Sequence, residues 1–136
     1  MRMVLRACLR VVFRIRVEGQ WPDAANPVLF AANHPSALDS LLLSVLLPGR
    51  NVVVLPREDL CSPWLRIALR LVPHLVADMN DPTTIRKVMR LLAAGNSVVL
   101  YPEGRVSPAP SVMKVYEVPA LIAAKTGVPV IPLRVR

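Results

Sequence analysis

Short apolar runs alternate with helix-patterned stretches along this chain, and that alternation restricts its fold more than any other feature. Pro27 to Ala32, Asn51 to Leu55, Val98 to Tyr101 and Val128 to Val135 are largely apolar at successive positions, as strands buried on both faces are. Between them, residues 37–47 read as a helix stopped by Pro48-Gly49, and Ser62-Pro63 opens a helix to about Leu71 whose Trp64, Ile67 and Leu71 are expected in the core, with contact to acyl chains the competing reading. Asp81-Pro82 opens a further helix with the stripe Ile85, Val88, Met89 and Leu92 and with Gly95 at its end, and Pro119 to Thr126, capped by Gly127, forms the last. Prolines at 129 and 132 suit an edge position for the final strand. The pattern predicts a single α/β domain, a mostly parallel mixed sheet flanked by helices, with ligands beyond the carboxyl ends of the strands.

The first 18 residues differ in kind. Arg2, Arg6 and Arg10 recur every four positions, with Arg14 continuing the series, among Met3, Val4, Leu5, Leu9, Val11, Val12 and Phe13. This reads as a basic amphipathic helix lying in the headgroup region of a membrane, its arginines at the phosphates; a core helix with a solvated arginine edge is the competing reading. From Phe13 to Val17 the period changes to two, which predicts a strand ending at Glu18-Gly19 before Trp21-Pro22-Asp23 turns the chain into a core over 19–136. Hydrophobic residues make up 54% of the chain, yet no run approaches the roughly 18 to 20 apolar residues of a spanning helix, so the expected place is on a membrane surface. The net charge of +8 favours an anionic partner such as that surface or a phosphorylated substrate. Nucleic acid is disfavoured by an aromatic content of 4% and the lack of a base-reading motif. Cys8 and Cys61 have neither metal-ligand spacing nor a disulfide framework and read as reduced thiols.

Two turns carry the chemistry. Asn33-His34-Pro35-Ser36-Ala37-Leu38-Asp39 sets a histidine at the end of one apolar run and an aspartate at the start of the next. Pro35 disfavours helix at His34 and Ser36 is a candidate N-cap, so a tight loop can fold the imidazole onto the carboxylate. A neutral imidazole held that way takes a proton from an alcohol and has its cation stabilised as it forms. The spacing alone favours an aspartate at a helix dipole beside a half-buried histidine, and the second turn reverses that preference. In the second turn, Tyr101-Pro102-Glu103-Gly104-Arg105, a glycine precedes an arginine whose planar guanidinium can fork onto a phosphate, with Glu103 placed to hold that fork; taken alone the segment fits an ordinary turn with a surface ion pair better, and its company strengthens the phosphate reading.

The order of these pieces, His34-x4-Asp39, then Pro102-Glu103-Gly104-Arg105-Val106-Ser107, then Val128-Pro129-Val130-Ile131-Pro132, resembles the blocks of the glycerolipid acyltransferase family. Segments such as Ser111 to Tyr116 and Ala123-Ala124-Lys125-Thr126-Gly127 look more closely like the acyltransferase domain of bifunctional 2-acylglycerophosphoethanolamine acyltransferase/acyl-ACP synthetases. The resemblance implies His34 as general base on a lysophospholipid hydroxyl and Asp39 as its orienting partner. It also implies Glu103, Gly104 and Arg105 at the acceptor phosphate, with Asn33, Ser36, Ser107 and Pro129 in support and Pro129 to Pro132 shaping the acyl side. The donor would be acyl-ACP or acyl-CoA, the acceptor lysophosphatidylethanolamine before lysophosphatidic acid, and an acyl-ACP synthetase domain, fused or separate, a partner. No metal or redox cofactor is implied, and the expected location is peripheral, on the cytoplasmic face of a membrane such as the bacterial inner membrane.

One departure stands out. The family's second block usually ends in an arginine, and Leu71-Val72-Pro73-His74-Leu75-Val76-Ala77-Asp78 has none there; His74 reads as a bystander rather than a substitute. That gap, and the end of the chain at Arg136 soon after the fourth block, keep open a short enzyme, a part of a longer polypeptide, or an inactive lipid- or ACP-binding module.

Overall fold

The first three apolar runs become short strands covered on both faces, and the fourth becomes a strand whose residues are exposed or half-buried. In the computed structural model, which describes residues 2–20, 25–36, 38–47, 52–55, 63–70, 72–75, 78, 81–104 and 115–136, the strands are β1 (Leu29–Ala32), β2 (Val52–Val54), β3 (Ser97–Leu100) and β4 (Val130–Leu133). The helices are α1 (Arg2–Val12), α2 (Asp39–Leu46), α3 (Pro63–Leu69), α4 (Pro82–Ala93) and α5 (Val118–Thr126). The sheet order is β2-β3-β1-β4, and every pairing among the described residues is parallel, so the mixed character expected of the sheet is not found there.

Successive strand residues point to opposite faces, which accounts for the unbroken apolar runs. Phe30, Ala32, Val52, Val54 and Val99 pack with Leu47 and Leu69 on one face; Leu29, Val98 and Leu100 pack with Val88, Leu92 and Ile122 of α4 and α5 on the other. β4 lies at an edge, where Pro132 is tolerated. The expected stripe of α4 holds: Val88 and Leu92 are buried and Ile85 and Met89 pack against the same cluster. Gly127, at φ +69°, ends α5 in the left-handed conformation its missing Cβ permits.

Asp81 caps α4, its carboxylate accepting from the Thr83 amide at 2.9 Å and from the Thr83 hydroxyl. The Thr83 hydroxyl bond is the first cause holding the Asp81 carboxyl below its ordinary value of 3.8, and the Thr83 amide the second. A depressed folded-state value means that the stabilisation is complete above the ordinary carboxylate range and is lost as pH falls through the folded value. Asp81→Ala is therefore expected to lower Tm at neutral pH, with the gap from wild type closing in acid below that range; parallel thermal melts check both halves.

Several expectations are corrected. The strand over Phe13 to Val17 does not form: Phe13 N–H donates to the Leu9 carbonyl at 3.0 Å and Ile15 N–H to that of Arg10 at 3.2 Å, so Phe13 to Ile15 close the end of α1, and Arg16 and Val17 belong to no strand. Arg14, at φ +48°, then turns the chain. Trp64 and Ile67 are not core residues; they are 57% and 64% exposed, and α3 docks through Leu69 at its C-terminal end. α3 also stops at Leu69, short of Leu71, which lies outside the described residues, as do Trp21 to Asp23, Pro48-Gly49, Arg57 to Asp59 and Ser62. Ser36 is not the N-cap of α2. Leu38 holds that position without a side-chain bond, and Ser36 shapes the turn by accepting from the Leu38 amide at 3.3 Å. His74 sits at the margin of the sheet, bridging to Val54 and donating from Nδ1 to the Val72 carbonyl at 3.0 Å, the arrangement of a bystander.

Candidate active site

The register of the two central strands decides where the candidate residues meet. Ala31 of β1 lies level with Leu100 of parallel β3, so His34 and Glu103, each three residues further on, leave the sheet at the same rim. That rim is the carboxyl end of both strands, where parallel sheets open their clefts.

His34 is buried there, 7% exposed, with Nδ1 3.2 Å from Oδ2 of Asp39, itself 3% exposed. A carboxylate only accepts hydrogen bonds, so in the neutral ring this contact puts the proton on Nδ1 and leaves the lone pair on Nε2, the tautomer a base requires. The same Oδ2 accepts from the Ser36 amide at 2.7 Å, so one oxygen closes the turn and orients the ring. Ser36 thus joins the site through its backbone. Asn33 supports it differently. Its amide donates to the Val135 carbonyl at 2.9 Å and accepts from the Val135 amide at 2.6 Å, extending the β1–β4 pairing past the end of β4.

Tyr101 and Ser40 are packed beside the pair. The Tyr101 ring stacks on the imidazole with centroids 3.9 Å apart and planes 17° from parallel, and its hydroxyl lies 2.9 Å from Ser40 Oγ. Burial pushes the phenol above its ordinary value of 10.0; the Ser40 bond pulls it down and the nearby Asp39 charge pushes it up, leaving Tyr101 neutral. Sequence reasoning gave neither residue a role. The available signal was an aromatic residue ending a strand that could neighbour the histidine's.

In the second turn, Gly104 has φ +63°, and a Cβ there would stand 3.0 Å from Cε2 of Tyr116. Both the backbone conformation and the space therefore call for glycine. Glu103 is 7% exposed, and its Oε2 has no hydrogen-bond partner among the described residues. A buried carboxylate oxygen in that condition suits a cationic or hydrogen-bonding group brought to it. Arg105 and Ser107 lie outside the described residues. Pro129 is not at the rim: its carbonyl accepts from the Leu29 amide at 3.0 Å, at the amino end of β1, the opposite end of the sheet from His34. A segment that contributes a whole strand presents its ends to opposite edges, and here Val135, not Pro129, reaches the site.

The surface-contact arginines divide. The Arg2 side chain is outside the described set, Arg6 donates to the Leu46 carbonyl at the end of α2, and Arg10 is exposed beside Val11 and Val12. Among the described residues no helix is long and apolar enough to cross a membrane.

The family model described as Acyltransferase matches residues 14–136. The lyso-ornithine lipid O-acyltransferase of Rhizobium meliloti (strain 1021) is 35% identical over 106 residues, which are 74% of this chain and 35% of that protein. The chloroplastic 1-acyl-sn-glycerol-3-phosphate acyltransferase LPAT1 of Arabidopsis thaliana is 27% identical over 128 residues, 89% of this chain and 35% of that protein. Among solved structures, the 1-acyl-sn-glycerophosphate (LPA) acyltransferase PlsC of Thermotoga maritima superposes with a TM-score of 0.67 and 25% identity, covering 96% of this chain and 55% of that one. The chain thus spans about a third of the length of the curated relatives it matches.

Proposed function

The chain belongs to the acyltransferase family, and from that premise we propose that it transfers a fatty acyl group from an acyl-ACP or acyl-CoA thioester to the hydroxyl of a lysophospholipid. The observation that carries this reading is the buried His34–Asp39 pair, 3.2 Å apart, on the rim it shares with Glu103.

Nε2 of His34 takes the hydroxyl proton as the oxygen attacks the thioester carbonyl carbon. The C–O ester bond forms, the C–S bond breaks, and the departing thiolate takes the proton back from the imidazolium. Asp39 stabilises that imidazolium while it exists. No covalent acyl-enzyme is required, and the barrier not removed by the base falls through the positioning of two bound substrates. Arg105, next in sequence after Gly104, binds the acceptor phosphate as a guanidinium fork that Glu103 holds in place.

The rest of the assignment follows the charge and the exposed apolar residues. Arg10, Val11, Val12 and Phe13, exposed where α1 ends, are the residues that meet an anionic membrane; the protein sits peripherally on its cytoplasmic side, and an acyl-ACP synthetase domain, fused or separate, supplies the donor.

Lysophosphatidylethanolamine is the acceptor favoured by the sequence resemblance. An acceptor panel tests this: lysophosphatidylethanolamine, 1-acyl-sn-glycerol-3-phosphate and lyso-ornithine lipid are offered with the same labelled thioester and compared by kcat/KM. The first is expected to lead. A lead for either of the others overturns the head group and leaves the transfer; product from none overturns the transfer itself.

A further inference from the structure

A single hydrogen bond from His34 to Asp39 fixes the position of Nδ1 but leaves the ring free to swing about the Nδ1···Oδ2 line. That swing tilts the Nε2 lone pair, whose aim is what proton abstraction depends on. A second restraint, on the plane of the ring, is therefore needed, and the structure contains one. We propose that Tyr101 is a positioning residue for His34: its ring sets the plane of the imidazole, and its hydroxyl ties that plane, through Ser40, to the helix that carries Asp39. The inference rests on the acyl-transfer reading above.

The contacts form a closed circuit. His34 Nδ1 meets Asp39 Oδ2 at 3.2 Å; Ser40, next along α2, meets the Tyr101 hydroxyl at 2.9 Å; and the Tyr101 ring returns to the imidazole at a centroid distance of 3.9 Å and an angle of 17°. The circuit joins β1, α2 and β3, three elements of the packed core, and Tyr101, Ser40 and Asp39 are all 6% exposed or less, so none of its members is held by a flexible surface segment. A near-parallel stack fixes orientation more than it adds energy, since aromatic pairs are restrained both in offset and in tilt. The phenol also remains uncharged and hydrogen-bonded to Ser40, so it neither competes for the proton nor repels the Asp39 carboxylate.

The roles of ring and hydroxyl separate by substitution. Tyr101→Leu removes both; Tyr101→Phe keeps the stack and gives up only the Ser40 tie. With lysophospholipid and thioester on anionic vesicles, Tyr101→Leu is expected to lower kcat about tenfold with both KM values within about threefold of wild type, and Tyr101→Phe to restore kcat to within about threefold. In a His34→Ala background Tyr101→Leu is expected to cost nothing further, because a residue acting through His34 has nothing left to position. An unchanged kcat in Tyr101→Leu, an equal loss in Tyr101→Phe, or a full further loss in the His34→Ala background each overturns the inference, while leaving the acyl-transfer reading intact.

A spectroscopic measurement stands independently of turnover. The His34 ring protons, assigned by their absence in His34→Ala, are expected upfield of those of exposed His74 through the Tyr101 ring current. The shift should persist in Tyr101→Phe and vanish in Tyr101→Leu. A wild-type His34 without that shift overturns the inference even if no acyl transfer is found; its presence in an inactive protein confines the failure to the functional reading.

Discussion

His34→Ala lowers kcat for acyl transfer by about 10²- to 10⁴-fold, with KM for thioester and lysophospholipid within about threefold of wild type. The loss falls on kcat because the imidazole acts on a proton that moves only in the transition state, while the bulk of both substrates binds elsewhere. His34 is 7% exposed and its ring stacks on Tyr101, so losing the ring also costs stability, which has to be separated from the loss of turnover. Initial rates over a substrate grid, with a thermal melt of each protein as control, separate the two effects. A His34→Ala protein that turns over within a few-fold of wild type would mean the proton goes elsewhere.

Asp39→Asn is the sharper instrument because it changes charge with little change in shape. The asparagine oxygen can still accept from the Ser36 amide and from Nδ1, contacts that wild-type Oδ2 makes at 2.7 and 3.2 Å. What disappears is the negative charge facing the imidazolium as it forms. A hydrogen bond to a charged group contributes about 1.5–3 kcal/mol, so kcat is expected to fall about 10- to 150-fold while Tm holds. Asp39→Ala removes the acceptor as well. The Ser36 amide loses its partner, and a buried group left in that state costs about 1–3 kcal/mol, so this variant should lose both kcat and Tm. If the two variants have equal kcat, the carboxylate's charge contributes nothing and Asp39 serves only to close the turn.

The parts of the molecule legible in the sequence are those fixed by local chemistry. Buried parallel strands show as unbroken apolar runs, the Asp81 and Gly127 boundaries show as caps, and Ile85, Val88, Met89 and Leu92 show as a stripe because only one face of α4 is covered. A proline between His34 and Asp39 makes their meeting possible, but the pair became legible only through the second turn and the order of the blocks that follow it. The errors have a common physical origin. Apolar character does not reveal which side of a helix will be covered, so Trp64 and Ile67 read as core although α3 docks through Leu69. Alternation does not reveal whether a neighbouring strand exists, so Phe13 to Val17 read as a strand although the amides of Phe13 to Ile15 close the end of α1. A strand's sequence does not say which of its ends faces the site, so Pro129 was credited with a place that Val135 occupies. Tyr101 was missed for the most instructive reason: its stack on His34 follows from the order β2-β3-β1-β4 and the level of Ala31 with Leu100, and both are properties of the assembled sheet.

The most direct test of acyl transfer to a lysophospholipid is to supply this chain, on anionic vesicles, with radiolabelled acyl thioester and lysophosphatidylethanolamine and to follow label into diacyl lipid. The account predicts product that requires the acceptor, with no label left on the protein when the thioester is given alone. A folded, vesicle-bound protein that yields no diacyl lipid, or one that holds the acyl group covalently before passing it on, would contradict it.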